Sequence, residues 1–367
     1  MPRRSAKSNV KFKPKRPQHD SPQKKEYEIE VLRGLANMAE AELKRVRGVE
    51  ILAKTDTSLR IGFAGEAGRL LSLRLVVAVY QSATFDVPRP KALLGDAVFR
   101  NLVNLLSELR DAQPKNSFSG LRFGAAGSDS PTFKRLGESL SKALGLPYDP
   151  DEGDFFIRFR PTQRGENPQK TWELLIRLTP RPLSARGYRV CNRAGGLNAA
   201  LAAATNTLTR MRPQDRYLNA MCGSGTLVIE RALLAGVQDL SAIDIDESAL
   251  TCAEQNIAAA KLEGQITLLQ ADATALPFED ARFNVITADA PWGDAVGSHA
   301  GNAEIYPKLL EEWARVSTPD ARLAFITHEL KLFEKVLKSQ TTWRVAKALQ
   351  VYHGGHYPKV YLLLKNS

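Results

Sequence analysis

The second half of the chain alternates between predicted strands and predicted helices, and this order restricts the fold more than any other sequence feature. After Arg189, five apolar runs of strand length are separated by helical patterns. The runs cover residues 216–220, 240–245, 266–270, 283–288 and 322–327. Such alternation is typical of a parallel sheet with crossover helices. Two last runs, joined around Gly354 and Gly355, predict an antiparallel hairpin.

A glycine-rich loop follows the first of these strands. Residues 221–226 read Met-Cys-Gly-Ser-Gly-Thr and lead into a helical pattern. Glycines at such a turn let a cofactor approach the backbone, and the helix N-terminus offers free N–H groups. The third glycine of the dinucleotide fingerprint is replaced by Val228, and the lysine of the phosphate loop is absent. The loop therefore indicates a cofactor but favours neither NAD nor ATP.

Three acids end the second, third and fourth strands of this unit. Asp244 lies 19 residues after Gly225, Asp272 follows the third strand, and Asp289 follows the fourth. An acid at the position of Asp244 can accept both ribose hydroxyls of an adenosine. Each acid alone fits a simple turn as well. Because ligands bind at the C-terminal ends of such strands, we expect the three acids to share one crevice.

The loop after the fourth strand predicts the chemistry. It reads Asp289-Ala290-Pro291-Trp292. Methylating an exocyclic amine of a base requires acceptors for its N–H groups, because the nitrogen lone pair is delocalised into the ring. The Asp289 carboxylate and the Ala290 carbonyl can accept, Pro291 fixes the turn, and Trp292 offers a face for a flipped base. The structural alternative is a proline-glycine turn with a half-buried tryptophan.

Charge divides the chain into a basic front and a nearly neutral rear. The net charge is +8 for residues 1–25, +5 for residues 26–190 and −2 for residues 191–367. We interpret residues 1–25 as a disordered basic tail, which is either a solvated segment or an electrostatic arm for nucleic acid. The division suggests a binding half followed by a catalytic half.

The middle of the chain predicts a second small unit with a basic face. Ser130 and Pro131 are typical of a helix start, and a helical pattern extends to Leu144. Strands are expected at 154–161 and 172–178. Their arginines Arg158, Arg160 and Arg177 fall on alternating positions. We expect these side chains to share one face, which either binds a polyanion or is simply solvated.

The three cysteines predict no disulfide scaffold. Cys222 belongs to the cofactor loop and Cys252 to a helix, and we interpret both as packing residues. No C-x-x-C pair or trusted histidine spacing indicates a metal site. With no apolar run of about 18 residues and no signal-peptide pattern, the sequence favours a reducing cytoplasm.

Several segments together resemble a known family, the THUMP-domain methyltransferases that act on guanine N2 of RNA. The matching segments are 34–36, 41–43, 133–140, 186–189, 201–204, 221–226 with Ile229 and Glu230, 244–246 and 289–292. Two positions depart from the family pattern. Asn219-Ala220 replaces the usual Asp-Pro before the glycine loop, and Ala290 stands where Pro or Leu is frequent.

The resemblance implies a fold and a division into domains. The fold is α/β, with a Rossmann-like class I methyltransferase domain preceded by an α+β ferredoxin-like domain and a THUMP domain. The implied boundaries are 26–110 for the ferredoxin-like domain, 111–182 for the THUMP domain, 183–196 for a linker and 197–367 for the methyltransferase domain.

The resemblance also implies S-adenosylmethionine as methyl donor and tRNA as substrate, methylated at guanine N2 in the acceptor stem while the THUMP domain holds the 3′ end. Gly223 and Gly225 would border the methionine part, Asp244 the ribose and Asp272 the adenine. The full predicted cofactor set is Asn198, Cys222, Gly223, Ser224, Gly225, Thr226, Asp244, Ile245, Asp272, Ala273 and Asp289. The predicted RNA-binding residues are Lys134, Arg135, Arg158, Arg160, Arg177 and Arg186. No metal and no obligate protein partner are expected.

Other functions remain open at this point. A ribosomal RNA guanine-N2 methyltransferase would use the same site. A catalytically silent RNA-binding protein could keep the fold, although the glycine loop and the three acids argue against it. A small-molecule methyltransferase would leave the basic front unexplained.

Overall fold

The protein consists of two seven-stranded sheets that share part of their hydrophobic core. The structure, a computed structural model, describes residues 24–162, 171–290 and 299–366. Most of the predicted basic tail therefore lies outside the described residues, as do Pro291 and Trp292. Within the described residues, no helix is long and apolar enough to cross a membrane.

The front half of the chain builds the first sheet, called here the front sheet. Its elements are β1 (Lys25–Glu30), α1 (Ala36–Leu43), β2 (Val49–Lys54), β3 (Ser58–Phe63), β4 (Ala78–Phe85), α2 (Asp96–Asp111), β5 (Leu121–Gly124), α3 (Pro131–Leu144), β6 (Phe155–Pro161) and β7 (Trp172–Arg177). The strand order is β2-β3-β1-β4-β7-β6-β5. All pairings are antiparallel except β5 with β6.

The front sheet runs without a break across the expected boundary between 26–110 and 111–182. Strand β4 pairs with β1 on one edge and with β7 on the other. The ladder between β4 and β7 extends from Tyr80 opposite Arg177 to Phe85 opposite Trp172. In the sequence, the apolar run at 70–79 is ambiguous between helix and strand, and it overlaps β4 only at its first two residues. The two predicted domains therefore contribute to one sheet, and their separation as domains stays a proposal.

Alternating residues give the front sheet two different faces. In β6, Phe155, Ile157 and Phe159 are buried in a core that also contains Phe133 and Leu136 of α3. The intervening side chains point to the opposite face, as the period of two requires. Helix α3 begins at Pro131 as predicted, although the Ser130 side chain makes no capping hydrogen bond.

The rear half builds the second sheet, called here the rear sheet. Its elements are α4 (Ala199–Leu208), β8 (Arg216–Ala220), α5 (Thr226–Leu234), β9 (Asp239–Asp244), α6 (Glu247–Ala259), β10 (Thr267–Gln270), β11 (Phe283–Asp289), α7 (His299–Arg315), β12 (Ser317–Thr327), α8 (Leu330–Lys338), β13 (Trp343–Gln350) and β14 (Lys359–Lys365). The order β10-β9-β8-β11-β12-β14-β13 is parallel up to β12. The last two strands form the predicted antiparallel hairpin.

The central strands of the rear sheet are apolar on both faces because helices cover both. In β11, Ile286 and Ala288 pack with Trp313 of α7 and Phe333 of α8. Val285, on the opposite face, packs with residues of α5 and α6. Continuous apolar strands of this kind are typical of parallel sheets buried on both sides.

The two halves share a core and a buried ion pair. Ala39 and Leu43 of α1 belong to the same apolar cluster as residues 200–204 of α4. The fully buried Glu230 carboxylate of α5 accepts hydrogen bonds from Arg74 at 2.7 and 2.8 Å and from Arg186 at 2.9 Å. Arg74 belongs to the front half and Glu230 to the rear, so this contact fixes one half against the other.

A disulfide joins the predicted linker to α6, which corrects the interpretation of Cys252 as a packing residue. Cys191 and Cys252 are bonded, and Cys222 remains free and buried. The side chain of Asn256, also in α6, bonds both backbone polar groups of Cys191 and donates to the Ser224 carbonyl. The linker is therefore tied to the helix that packs against the glycine loop. The sequence spacing of 61 residues gave no indication of this pairing.

Candidate cofactor and active site

The glycine loop adopts the backbone that its residues predicted. Gly223 and Gly225 have φ angles of 54° and 80°, in the left-handed region that favours glycine. A Cβ atom at Gly225 would lie 3.2 Å from Cβ of Ala253 in α6, so the helix also needs a small residue there. At Gly223 a Cβ would meet nothing within 4 Å, which leaves open space beside the backbone. The N-terminus of α5 then begins at Thr226.

Asp244 is held in place by hydrogen bonds from the backbone, one of them from the glycine loop. Its Oδ2 accepts a hydrogen bond from the Gly223 N–H at 2.8 Å, and its Oδ1 accepts one from the Asp246 N–H at 3.1 Å. A carboxylate has about four acceptor positions, so both oxygens keep a lone pair for ligand hydroxyls. The next residue, Ile245, is 67% exposed although it is a large aliphatic side chain. This exposed apolar surface beside an acceptor fits the ribose and base of an adenosine.

The third acid is fixed by its own turn. Oδ1 of Asp272 accepts hydrogen bonds from the Thr274 N–H at 2.8 Å and hydroxyl at 2.7 Å. The neighbouring Ala273 is buried, and its carbonyl accepts a hydrogen bond from Trp313 Nε1 at 3.1 Å. The turn that follows β10 is therefore rigid, and Asp272 remains exposed at its surface.

Strand register brings the three acids to one edge of the rear sheet. Gln270, the last residue of β10, lies opposite Asp244, and Asn219 of β8 lies opposite Thr287 of β11. Helices leave the sheet in opposite directions from β8 and β11, which makes this gap the topological switch point where α/β proteins bind ligands. The ends of β8, β9, β10 and β11 thus lie along the edge where the crevice is predicted.

Asp289 and Ala290 lie at this edge, at the end of β11. Asp289 is half-buried and pairs in register with Ile326 of β12, whose carbonyl accepts the Ala290 N–H at 3.1 Å. Ala290 is buried. The remaining two residues of the predicted catalytic loop, Pro291 and Trp292, lie outside the described residues, and their roles stay predictions.

A buried tyrosine near Asp289 was not foreseen from the sequence. The Tyr306 hydroxyl of α7 lies 2.9 Å from the Thr327 hydroxyl at the end of β12. Burial raises the pKa of Tyr306 to about 12, and the nearby carboxylates of Glu329 and Asp289 add to this. Tyr306 therefore stays protonated at neutral pH. Nothing in the local pattern of α7 distinguishes it from other core aromatic residues.

Several predicted cofactor residues have structural tasks. Asn198 caps α4 through a hydrogen bond from the Ala200 N–H at 2.9 Å. Ser224 and Thr226 are buried, with their hydroxyls 3.5 Å apart. Burial raises the pKa of the Cys222 thiol, so it is no nucleophile at neutral pH. These positions line or support the loop, and direct contact with a cofactor stays a prediction for each.

The departure at Asn219 has a visible consequence. Asn219 is fully buried, and its Nδ2 donates to the Thr287 carbonyl at 3.2 Å, while its Oδ1 has no hydrogen-bond partner. The side chain thus links β8 to β11 just before the glycine loop. The amide makes a hydrogen bond here that the family's usual carboxylate could not, because an ionised carboxylate has no N–H to donate to the Thr287 carbonyl.

Two of the predicted RNA-binding arginines are used inside the protein. Arg177 is buried and donates to the backbone carbonyls of Thr179, Pro180 and Asp154. Arg186 donates to the buried Glu230. Neither guanidinium is available at the surface, so both are removed from the proposed RNA surface. Basic residues in a charge run gave no sign of these internal partners.

The other four predicted RNA-binding residues differ in exposure. Arg160 is paired with Glu28 and Glu173. Arg158 is about one third exposed and lies over the Tyr80 ring at 5.0 Å. Lys134 and Arg135 are exposed on α3, opposite the buried Phe133 and Leu136. Of the described set, Lys134 and Arg135 are thus the most accessible cations.

The rear sheet and its edge define a class of proteins. Renumbered from β8, its strand order is 3-2-1-4-5-7-6 with the seventh strand antiparallel, and its first loop carries the glycines. This is the fold of class I methyltransferases, which use S-adenosylmethionine. The family described as RMKL-like, methyltransferase domain, matches residues 186–359.

Known proteins narrow the class to a family. The tRNA (guanine(6)-N2)-methyltransferase of Thermus thermophilus is 33% identical over 233 residues, 63% of this chain and 67% of that protein. The Mus musculus tRNA (guanine(6)-N(2))-methyltransferase THUMP3 is 30% identical over 184 residues, 47% of this chain and 36% of that protein. The crystal structure of TrmN from T. thermophilus matches with a TM-score of 0.69 and 26% identity, covering 93% of this chain and 99% of that one. The chain belongs to the family of these methyltransferases.

The site residues fit S-adenosylmethionine, which is the methyl donor of this class. The open space beside Gly223 suits the methionine part, and the anchored carboxylate of Asp244 suits two ribose hydroxyls. The exposed side chain of Ile245 offers an apolar surface for the adenine. Within the described residues no group of three or more His, Cys, Asp or Glu is placed to bind a metal.

Proposed function

We propose that this protein methylates the exocyclic N2 amine of a guanosine in the acceptor stem of tRNA, in the cytoplasm, with S-adenosylmethionine as donor. The observation that carries the proposal is the position of Asp289. It ends β11 at the switch point, beside the glycine loop and in line with Asp244 and Asp272 on the same edge. The relatives of the family are named for this modification of tRNA.

The residues at this edge of the rear sheet have different roles in the proposed methyl transfer. When bound, S-adenosylmethionine supplies an electrophilic methyl group on a sulfonium. The Asp289 carboxylate accepts a hydrogen bond from the guanine N2 amine, which orients the amine, and takes up the proton that the amine loses when it is methylated. The nearby Tyr306 hydroxyl stays protonated, and Ala290 beside Asp289 is buried. We predict that Trp292 stacks on the extruded base.

The front half is proposed to hold the tRNA. Lys134 and Arg135 are exposed on α3, and the net charge of residues 1–25 is +8. Each phosphate contact of such cations contributes through counterion release. We propose that the 111–182 unit binds the 3′ end of tRNA and that the tail adds a non-specific attraction to RNA.

The direct test is methyl transfer from labelled S-adenosylmethionine to unmodified tRNA transcripts, with the nucleosides identified by mass spectrometry. We expect N2-methylguanosine. Ribonuclease fragments of the product then locate the label, which we expect in the acceptor stem. Labelling of ribosomal RNA instead of tRNA would keep the chemistry but overturn the substrate.

A second arm separates catalysis from binding. If tRNA binds and S-adenosylmethionine binds in calorimetry, yet no RNA is labelled, the protein is an RNA-binding relative without activity. Transfer to tRNA that survives removal of residues 1–182 would overturn the proposed role of the front half.

A further inference from the structure

The tip of the β13–β14 hairpin lies beside the active edge of the rear sheet. Asp289 pairs with Ile326, Ile326 with Val360, and Val360 with Leu349, so these residues form one rung across the sheet. Strands are spaced by about 4.8 Å, so β14 lies about 10 Å to the side of β11. The tip residues extend three residues, or about 10 Å, beyond this rung. The tip is therefore roughly 14 Å from Asp289, a distance of three to five stacked nucleotides.

Two tyrosine rings are presented at this tip. Tyr352 and Tyr357 are 41% and 49% exposed, and their ring centroids lie 4.9 Å apart with a tilt of 49°. Neither hydroxyl has a hydrogen-bond partner among the described residues. The turn between them uses Gly354 and Gly355, both with positive φ. Neither tyrosine belongs to a hydrophobic core cluster of the described residues, so core packing does not explain them.

Backbone contacts hold the tip against the front half of the protein. The Tyr352 N–H donates to the Arg33 carbonyl at 3.0 Å. A Cβ at Gly34 would lie 2.1 Å from the Gln350 carbonyl oxygen, so the two segments touch at a place where only glycine fits. The neighbouring Val351 is buried. The hairpin tip that carries the two tyrosines is therefore fixed against the front half of the protein.

The tip is also joined to the end of β12. The ring of His356 packs edge-on against the ring of His328 at 4.9 Å, and His328 directly follows Thr327. Backbone hydrogen bonds of 2.9 and 3.0 Å connect His353 and His356 across the turn. The tip thus cannot move independently of the strand that neighbours Asp289.

Cations lie next to the aromatic pair. The Arg33 side chain is exposed and has no hydrogen-bond or ion-pair partner among the described residues. Arg189 lies close enough to His353 to lower the pKa of that imidazole, after burial, which is the larger cause. Arg189 donates to the Leu197 carbonyl at 3.0 Å, so Arg33 is the free cation of the two. An exposed aromatic surface beside a free guanidinium group has the chemistry of a site for one base and its phosphate.

We propose that Tyr352 and Tyr357 form a stacking subsite for a nucleobase of the substrate RNA, three to five nucleotides from the methylated guanosine, with Arg33 contacting the adjoining phosphate. The subsite rests on the proposed function, because it serves the same RNA. It positions the substrate and takes no part in the chemical step.

The test compares two double variants of the full chain. In Tyr352→Ala/Tyr357→Ala the rings are lost, and we expect the KM for tRNA to rise about tenfold or more, since stacking on one aromatic residue is worth this much. In Tyr352→Phe/Tyr357→Phe the rings remain, and we expect the KM of the unaltered protein. The kcat at saturating tRNA and the affinity for S-adenosylmethionine should change little in either variant.

Crosslinking provides an independent measurement on the unaltered protein. A tRNA transcript substituted with 4-thiouridine, irradiated on the protein, should attach to the tryptic peptide 348–359, which contains both tyrosines. The attached nucleotide should map three to five positions from the labelled guanosine. This result does not depend on the folding of any variant.

Three outcomes would overturn the subsite. The first is an unchanged KM for tRNA in the alanine double variant. The second is a KM that rises as much in the phenylalanine variant as in the alanine variant, and the third is crosslinking outside residues 348–359. The unaltered protein would still form N2-methylguanosine in each of these cases, so the proposed function would stand. A protein that labels no tRNA at all would instead refute the proposed function.

Discussion

The front sheet places a network of charged side chains on the face opposite α2 and α3, whereas the rear sheet presents anchored carboxylates at the C-terminal ends of its parallel strands. On the front sheet, Arg60 lies 2.5 Å from Glu173, and Arg160 contacts both Glu173 and Glu28. Burial alone raises the pKa of Glu173, but hydrogen bonds from Arg60, Ser82 and Arg160 outweigh it and lower the pKa to about 2. The positive and negative side chains of this face are therefore paired with one another.

At the edge of the rear sheet the carboxylates have few internal cations. Asp244 is anchored by backbone N–H groups, and Asp272 by the backbone and hydroxyl of Thr274. Hydrogen bonds from backbone groups orient a carboxylate without neutralising its charge. The difference teaches that charge itself does not mark a functional surface. The informative feature is a polar group that is held in place and still has capacity for a ligand.

The largest effect is expected at Asp289. Replacing it in Asp289→Asn keeps the shape of the side chain but removes the proton acceptor, so methyl transfer should fall by about 10²- to 10⁴-fold. Single-turnover kinetics with labelled S-adenosylmethionine measures this. The affinity for tRNA should stay within about twofold, because phosphate contacts elsewhere dominate it. Full activity of the variant would remove Asp289 from the mechanism.

The joint between the halves should be the next most sensitive place. Glu230→Gln leaves Arg74 and Arg186 facing each other without a carboxylate, and loss of one partner of a buried pair costs about 3–5 kcal/mol. Urea unfolding would report this loss as a lower midpoint. The matched control is Glu50→Gln, whose exposed pair with Lys24 should contribute almost nothing. Equal effects of the two variants would contradict the role of Glu230 as the joint.

The cofactor side of the edge should respond more moderately. In Asp244→Asn the amide cannot accept from the Gly223 N–H and from ribose hydroxyls as the carboxylate does, so we expect the Kd for S-adenosylmethionine to rise about tenfold to hundredfold. Isothermal calorimetry without RNA measures it. Asp272→Asn is the comparison, with a smaller expected loss because Asp272 is more exposed. A variant at Asp244 with unaltered affinity would show that the ribose lies elsewhere.

Local patterns predicted the rear half well, because its elements are defined by neighbouring residues. The glycine turn at 223–225, the acid at the end of β9 and the final hairpin all follow from short-range rules. The front sheet was less predictable, since β4 is identified by its two partner strands rather than by its own sequence. Side chains whose role depends on a partner far away in the sequence were also difficult to predict.

Three such side chains illustrate the limit of prediction from the sequence. Arg186 finds its carboxylate 44 residues away, Cys191 its thiol 61 residues away, and Tyr306 becomes part of the active edge only through the end of β12. No spacing rule links these pairs. The predicted RNA-binding set was wrong at Arg177 and Arg186 for this reason, because a charge run does not show which cations are paired inside the protein.

The smallest effect should come from the exposed cations of α3, and it distinguishes the two uses of charge on the front half. In Lys134→Ala/Arg135→Ala we expect tRNA affinity to fall only a few-fold and the slope of log Kd against log salt to decrease by about one per lost phosphate contact. Filter binding over a salt series measures both. The matched control is Arg160→Met, which breaks an internal ion pair and should leave the salt slope unchanged. The opposite result, in which Arg160→Met alters the slope and the α3 variant does not, would place the RNA on the charged face of the front sheet. The arginines of that face would then leave their carboxylate partners and contact phosphates when RNA binds.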